Sequence, residues 1–240
     1  MTRSDQDTTR SGPGGSVAGT YDRLAERWDT DIAPSASYPV AAWIRRADRF
    51  LHYGDPVVDL GCGTATPAAW ILAGRYRYIG VDLSVEMTSR AEVNAPGCTF
   101  HTMDMARVSF GERGIGAVLC FDAIDHVPRH QHPELFRSIH RWLRTGGVLI
   151  ANFRTLDVAD VWEPSWLDAG PMYWSSHTAD QTVDQLDAAG FNVVDEARLS
   201  HHDYDGVGRE RLWVVAQRTE LSGRARVAPS SRRDAEEPID

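Results

Sequence analysis

Val57, Val58, Asp59, Leu60, Gly61, Cys62, Gly63, Thr64, Ala65 and Thr66 read as a buried strand that runs into small residues and then into a helix. Glycine in such a turn lets a ligand approach the backbone. The helix beyond presents unpaired N–H groups and the positive end of its dipole, both suited to a carboxylate or phosphate. Tyr78, Ile79, Gly80, Val81 and Asp82 follow as a second strand ended by an acid, at the spacing of about 20 residues where a doubly wound nucleotide-binding fold places the acceptor for ribose hydroxyls.

The same alternation extends in both directions. Upstream, Trp43, Ile44, Ala47, Phe50 and Leu51 fall at helical spacing. Downstream come helices over 68–73 and 85–93, a third strand over 98–101 and a fourth over 117–121. Leu135, Phe136, Ile139, Trp142 and Leu143 share one helical face, Gly146 and Gly147 stop that helix, and 148–152 is a fifth strand. Thr178 caps a helix carrying Val183, Leu186 and Ala189 and closed by Gly190, after which 191–199 and 211–217 are two strands joined by a turn at 203–208. The expected fold is α/β: a doubly wound, seven-stranded, mostly parallel Rossmann-like sheet with a C-terminal antiparallel hairpin and helices on both faces. Residues 1–19 and 219–240 hold too few apolar side chains to order themselves and read as tails around one domain, 20–218, with an insertion near 157–177.

Composition narrows the chemistry. Asp and Glu number 34 against 25 Lys plus Arg, a formal net charge of −9, which argues against a nucleic-acid partner because such proteins show a basic stripe. All 25 basic residues are arginine. Schiff-base enzymes, a phosphate-loop lysine and the protein-kinase lysine are thereby excluded. No apolar run approaches the roughly 18 residues of a membrane span, and the polar, glycine-rich start has no secretory h-region, so the expectation is a cytoplasmic protein without a membrane partner. Three cysteines, Cys62, Cys98 and Cys120, without CxxC spacing support neither a disulfide framework nor a zinc site.

Asp59-Leu60-Gly61-Cys62-Gly63, Val81-Asp82-Leu83-Ser84, Met103-Asp104-Met105 and Leu143-Arg144-Thr145-Gly146-Gly147 resemble the ordered motifs of class I S-adenosylmethionine-dependent methyltransferases, over residues 20 to 218. The resemblance implies that Asp59, Gly61, Cys62, Gly63 and Thr64 cradle the methionine part of S-adenosylmethionine and that Asp82 takes the ribose hydroxyls. Leu83, Met87, Asp104 and Met105 would then serve the adenine, and Phe121 and Asp122 the end near the sulfonium. Ala65 stands where the family often has a third glycine. Thr66 stands at the last glycine position of the dinucleotide-dehydrogenase spacing, which favours the methyl donor over NAD. Residues 20–29 resemble the family's lid helix, with Tyr21 and Trp28 as residues that close over the donor; their ordinary reading is an amphipathic surface helix.

Methyl transfer is an in-line displacement, so the protein supplies alignment, exclusion of water and in some cases a base. His126, at the end of the fourth strand, is the first candidate base and an acceptor-side residue; His177 is the alternative. Asp122, Asp125 and His126 resemble a cation-holding cluster of quinone-type O-methyltransferases, but without a further ligand they read as a polar loop, and no metal is expected. His130, His132, His201, His202 and Asp203 are read as surface residues. The insertion, read as a loop over the crevice, concentrates three tryptophans with Met172, Tyr173 and His177, which suggests an acceptor pocket walled by Met172, Tyr173, Trp174 and His177. The function expected is methylation of an O, N or electron-rich C atom of a small, aromatic metabolite of natural-product type by a monomer or homodimer. Its rivals are a macromolecular acceptor, a donor-binding module without catalysis and a nicotinamide dehydrogenase.

Overall fold

The computed structural model describes residues 13–35 and 38–219. Seven strands form one sheet in the order β3-β2-β1-β4-β5-β9-β8. They are β1 (Pro56–Leu60), β2 (Arg77–Asp82), β3 (Thr99–Thr102), β4 (Ile115–Cys120), β5 (Leu143–Arg154), β8 (Phe191–His202) and β9 (Gly208–Arg218). The pairs β1–β2, β1–β4, β2–β3 and β4–β5 are parallel, and β9 is antiparallel to both β5 and β8, so β9 alone runs against the rest. The doubly wound expectation is met, with the antiparallel hairpin closing one edge.

Every residue of β4 is buried, the signature of a parallel strand covered on both faces. Alternate side chains serve opposite layers. On one face Val58, Val118, Leu149 and Val214 meet Leu135, Phe136 and Ile139 of α5 (His132–Trp142) and Leu186 of α6 (Ala179–Ala188). On the other, Val57, Leu119, Ile150 and Val215 meet Trp43 and Ile44 of α2 (Val40–Arg45), Ala69 and Leu72 of α3 (Ala68–Leu72) and Ala91 of α4 (Val85–Asn94). Thr178 caps α6 as expected, in a reciprocal box with Gln181. Ser84 caps α4, accepting from the Met87 N–H.

Two expectations change. Helix α1 (Pro13–Arg27) begins inside the stretch read as an N-terminal tail, because Val17 and Leu24 lie one face of a helix apart and bury themselves against Trp166, Met172 and Tyr173. Residues 13–19 are therefore helix; the remaining tail residues, 1–12 and 220–240, lie outside the described residues. The insertion is not a loop but a separate antiparallel pair, β6 (Val158–Glu163) and β7 (Met172–Ser176), joined through a 3₁₀ turn at Trp166–Asp168. Tryptophan and β-branched residues give this pair its strand character.

Phe136 is 1 % exposed at the centre of the larger core. Phe136→Ala should cost about 3–5 kcal/mol of unfolding free energy, read from the midpoint of urea denaturation.

Candidate active site

The sheet order reverses direction between β1 and β4, and in open α/β sheets the crevice outside the strand ends at that point takes the ligand. A cleft of about 1200 Å³ lies there. Asp59, Gly61, Cys62, Gly63, Asp82, Leu83, Met87, Asp104, Met105, Phe121 and Asp122 all line it. Gly61 has φ +77°, and a Cβ on it would sit 2.2 Å from the Ala123 Cβ, so only glycine fits this close approach. The Gly61 and Cys62 N–H groups both donate to the Val81 carbonyl, which stitches the turn to the end of β2.

The acids have distinct surroundings. Asp82 accepts from Gly63 N at 2.8 Å and from Ser84 N at 2.9 Å, while burial raises its pKa. Each carboxylate oxygen keeps a further lone pair for a hydroxyl in the cleft. Asp59 accepts from the buried Tyr78 hydroxyl at 2.6 Å, and its burial pushes the pKa up to about 6. Asp104 caps its own turn by accepting from Ala106 N at 2.8 Å. Asp122 sits at φ +49°, unusual for a non-glycine residue, held by Asn152 and by the Arg211 guanidinium at 3.1 Å. Thr64 departs from its expected role: it is buried, and its hydroxyl donates to Asp29 at 2.5 Å instead of lining the cleft.

Helix α1 lies across the cleft, with Tyr21, Asp22 and Trp28 in its wall. Asp22 anchors it to the start of α4, accepting from Ser84 Oγ at 2.5 Å and from Glu86 N at 3.2 Å. Tyr21 packs edge-on against Trp28, His126 and Trp166. Its hydroxyl is 2.9 Å from His126 Nε2, and His126 Nδ1 is 2.9 Å from the Tyr173 carbonyl. A carbonyl only accepts, so Nδ1 carries the ring proton; Nε2 of the neutral ring then accepts from Tyr21. Burial depresses the His126 pKa to about 4 and raises that of Tyr21.

A second, smaller cavity of about 120 Å³ opens off the cleft where Tyr21, Asp122 and Tyr204 line both. Trp166 and Trp174 wall it, and charged groups fill the rest: Arg154, Arg209 and Arg211 with Asp122, Asp125, Glu163, Asp203 and Asp205. Of the expected acceptor-side residues, Trp174 and Tyr21 reach this cavity. His177 lies outside both cavities, its Nε2 3.3 Å from the Arg129 carbonyl and its ring against His132. Met172 is fully buried under α1, and the Tyr173 hydroxyl donates to Asp160, so neither forms a cavity wall. Asp203, read as a surface residue, is 4 % exposed and is the hub of the hairpin, accepting from Arg209, Arg211 and Tyr38. Among the described residues no group of three or more His, Cys, Asp or Glu is placed to hold a metal ion, and Asp125 is paired with Arg154 at 3.1 Å.

Comparison with known proteins adds the family context. Residues 57–147 match the family model of a methyltransferase domain. A phosphoethanolamine N-methyltransferase of Triticum aestivum is 33 % identical over 110 residues, 43 % of this chain and 22 % of the wheat protein. The chain thus spans about a fifth of that relative's length. A carboxy-S-adenosyl-L-methionine synthase of Desulfotalea psychrophila is 27 % identical over 145 residues, 56 % of this chain and 59 % of the relative. Among solved structures, a complex of DhpI with SAH aligns with a TM-score of 0.66 at 17 % identity, covering 87 % of this chain and 98 % of that one. An S-adenosylmethionine-dependent methyltransferase of Methanosarcina mazei aligns at 0.62 and 16 % identity, over 76 % and 98 %. Residues 57–147 match the methyltransferase domain, and the chain carries the fold of the S-adenosylmethionine-dependent methyltransferases, enzymes whose cofactor is S-adenosylmethionine.

Proposed function

We propose that this protein transfers the methyl group of S-adenosylmethionine to an O, N or electron-rich C atom of a small acceptor lodged in the side cavity. The observation that carries this reading is the opening of that cavity into the cleft at Tyr21, Asp122 and Tyr204. A cavity of about 120 Å³ is of the order that takes a single ring, by comparison with the roughly 150 Å³ that accommodates benzene elsewhere. The flat walls of Trp166, Trp174 and Tyr204 suit an aromatic or otherwise apolar body of natural-product type. The net charge of −9 favours such an acceptor over nucleic acid.

S-adenosylmethionine supplies an electrophilic methyl on a sulfonium and leaves as the neutral thioether. The residues present fit it: Gly61 permits close approach, and Asp59, Asp82 and Asp104 offer acceptors along the cleft. In the proposed reaction the two tryptophans and Tyr204 hold the acceptor in line, while α1 excludes water. Tyr21 stands at the junction with its proton committed to His126, so its oxygen lone pairs are turned to accept from the acceptor's nucleophile. The chain's own part in that reaction would be to carry a proton, from the acceptor to the Tyr21 oxygen and from Tyr21 to His126 Nε2. A hydroxyl that has gained the methyl is a far stronger acid than before, so a weakly basic imidazole suffices. The Tyr173 carbonyl holds the resulting imidazolium on its other side.

Calorimetry with S-adenosylhomocysteine should give saturable, micromolar-range binding, with none for NAD. Asp82→Ala should weaken that binding at least tenfold, by loss of a charge-assisted pair of hydrogen bonds; unchanged affinity would refute the ribose assignment. The His126 environment makes a separate prediction about stability. Its folded pKa of about 4 lies below the ordinary value of about 6.5, so between those pH values the unfolded chain binds the proton first and stability falls with falling pH. The wild type should therefore lose up to about 1.4 kcal/mol per pH unit more than His126→Gln between pH 6.5 and 4, measured by urea unfolding.

A further inference from the structure

Arg154 ends β5 and lines the side cavity, with its side chain 15 % exposed. Three contacts fix it. Its Nε donates to Asp125 Oδ2 at 3.1 Å, its guanidinium carbon stands 3.8 Å from the Trp174 ring centroid, and its Nη2 is at 4.0 Å from Asp203, beyond hydrogen-bond reach. Among the described residues, neither Nη nitrogen has a hydrogen-bond partner. A guanidinium held by its inner edge and its face, with its outer fork open to the cavity, is preorganised for a planar or tetrahedral oxyanion, because a fork binds such groups through two parallel bonds.

The neighbouring charges make no hydrogen bond to that fork, Asp203 reaching Nη2 only as an ion pair at 4.0 Å. Asp122 is matched by Arg211 and Asn152, Asp205 by Arg209, and Asp203 by both arginines. These groups form a closed network whose oxygens are already engaged. Glu163 accepts from Trp174 Nε1 at 3.1 Å, on the edge of the indole whose face carries Arg154. The capacity left open at Arg154 is for an acceptor of hydrogen bonds.

We propose that Arg154 anchors an anionic oxyacid group, a carboxylate or a phosphate, of the methyl acceptor, so that the substrate is a small acid whose apolar body lies against Trp166 and Trp174. This rests on reading the side cavity as the acceptor site. A lysine would keep the charge but lose the bidentate fork.

The test uses the full chain saturated with S-adenosylhomocysteine, at fixed ionic strength in chloride, titrated separately with inorganic phosphate, acetate and methylammonium. Saturable binding of phosphate or acetate is expected, at least tenfold weaker in Arg154→Met and intermediate in Arg154→Lys, with S-adenosylhomocysteine affinity unchanged in both. Phosphate alone would assign a phosphoryl group, acetate alone a carboxylate, and both together a small oxyanion of either kind. If neither anion binds the loaded wild type, if Arg154→Met binds them as well as the wild type, or if methylammonium binds more tightly than both, the proposal is overturned. Should Arg154→Met lose S-adenosylhomocysteine, Arg154→Lys carries the comparison. Failure of the wild type to bind S-adenosylhomocysteine would instead overturn the donor reading of the cleft.

Discussion

The carboxylate of Asp82 holds two separate loops at once. One oxygen takes the Gly63 N–H and the other the Ser84 N–H, both as charge-assisted bonds in a largely apolar setting. Gly63 belongs to the turn that shapes the cleft, and Ser84 is the cap of α4, so the floor and one side of the cleft share a single anchor. From Ser84 the linkage continues through Asp22 to helix α1, then from Tyr21 to His126 and from His126 to the backbone of β7. Each link joins elements distant in sequence. A burial penalty that raises the Asp82 pKa is offset by the bonds that fix these parts in place.

On the other side of the cleft a second polar network does comparable work. Arg211 bonds Asp122 and Asp203 together, drawing the β8–β9 turn down against the end of β4. Desolvation of these charges is tolerable because nearly every lone pair and proton in the group is matched. Asp122 keeps its left-handed backbone within this clamp, and backbone strain of that kind persists where the surroundings over-determine it. The two networks meet at Tyr21 and Asp122, where the large cleft and the small cavity join.

How much of this could be read from the chain follows from distance along it. The strand-turn-helix around Gly61 and the acid at Asp82 are local patterns, and the alternation of apolar runs suffices to predict the sheet. The side cavity escapes such reading because its charged residues come from the loop after β4, from β5 and β6 and from the last hairpin, and the register that sets Arg154 opposite Arg211 helps to bring them together. His177 lies away from both cavities for a reason of parity. Along β7, Trp174 points to the cavity while Ser175 points away to accept from Arg129 N, and His177, on the same side as Ser175, meets the carbonyl of the same arginine. Composition places aromatic residues in a segment; alternation decides which of them reach a ligand. The start of helix α1 is not legible along the chain because Gly14, Gly15 and Gly19 lower its intrinsic helical preference, and packing of Val17 and Leu24 overrides it.

The residues that line the two cavities are divided along the chain in a way that bears on how such a protein changes over generations. The methyltransferase-domain match ends at residue 147, and nearly all of the groups around the large cleft precede that point. Arg154, Trp166, Trp174 and the turn between β8 and β9 all follow it. Mutations in the later segments can therefore retailor one cavity while leaving the other intact, since the only shared walls are Tyr21, Asp122 and Tyr204. The β6–β7 pair is a separate two-stranded sheet, tied to the rest by the packing of Met172 and Tyr173 on α1 and by the Tyr173 carbonyl on His126, so changes within it must keep those contacts.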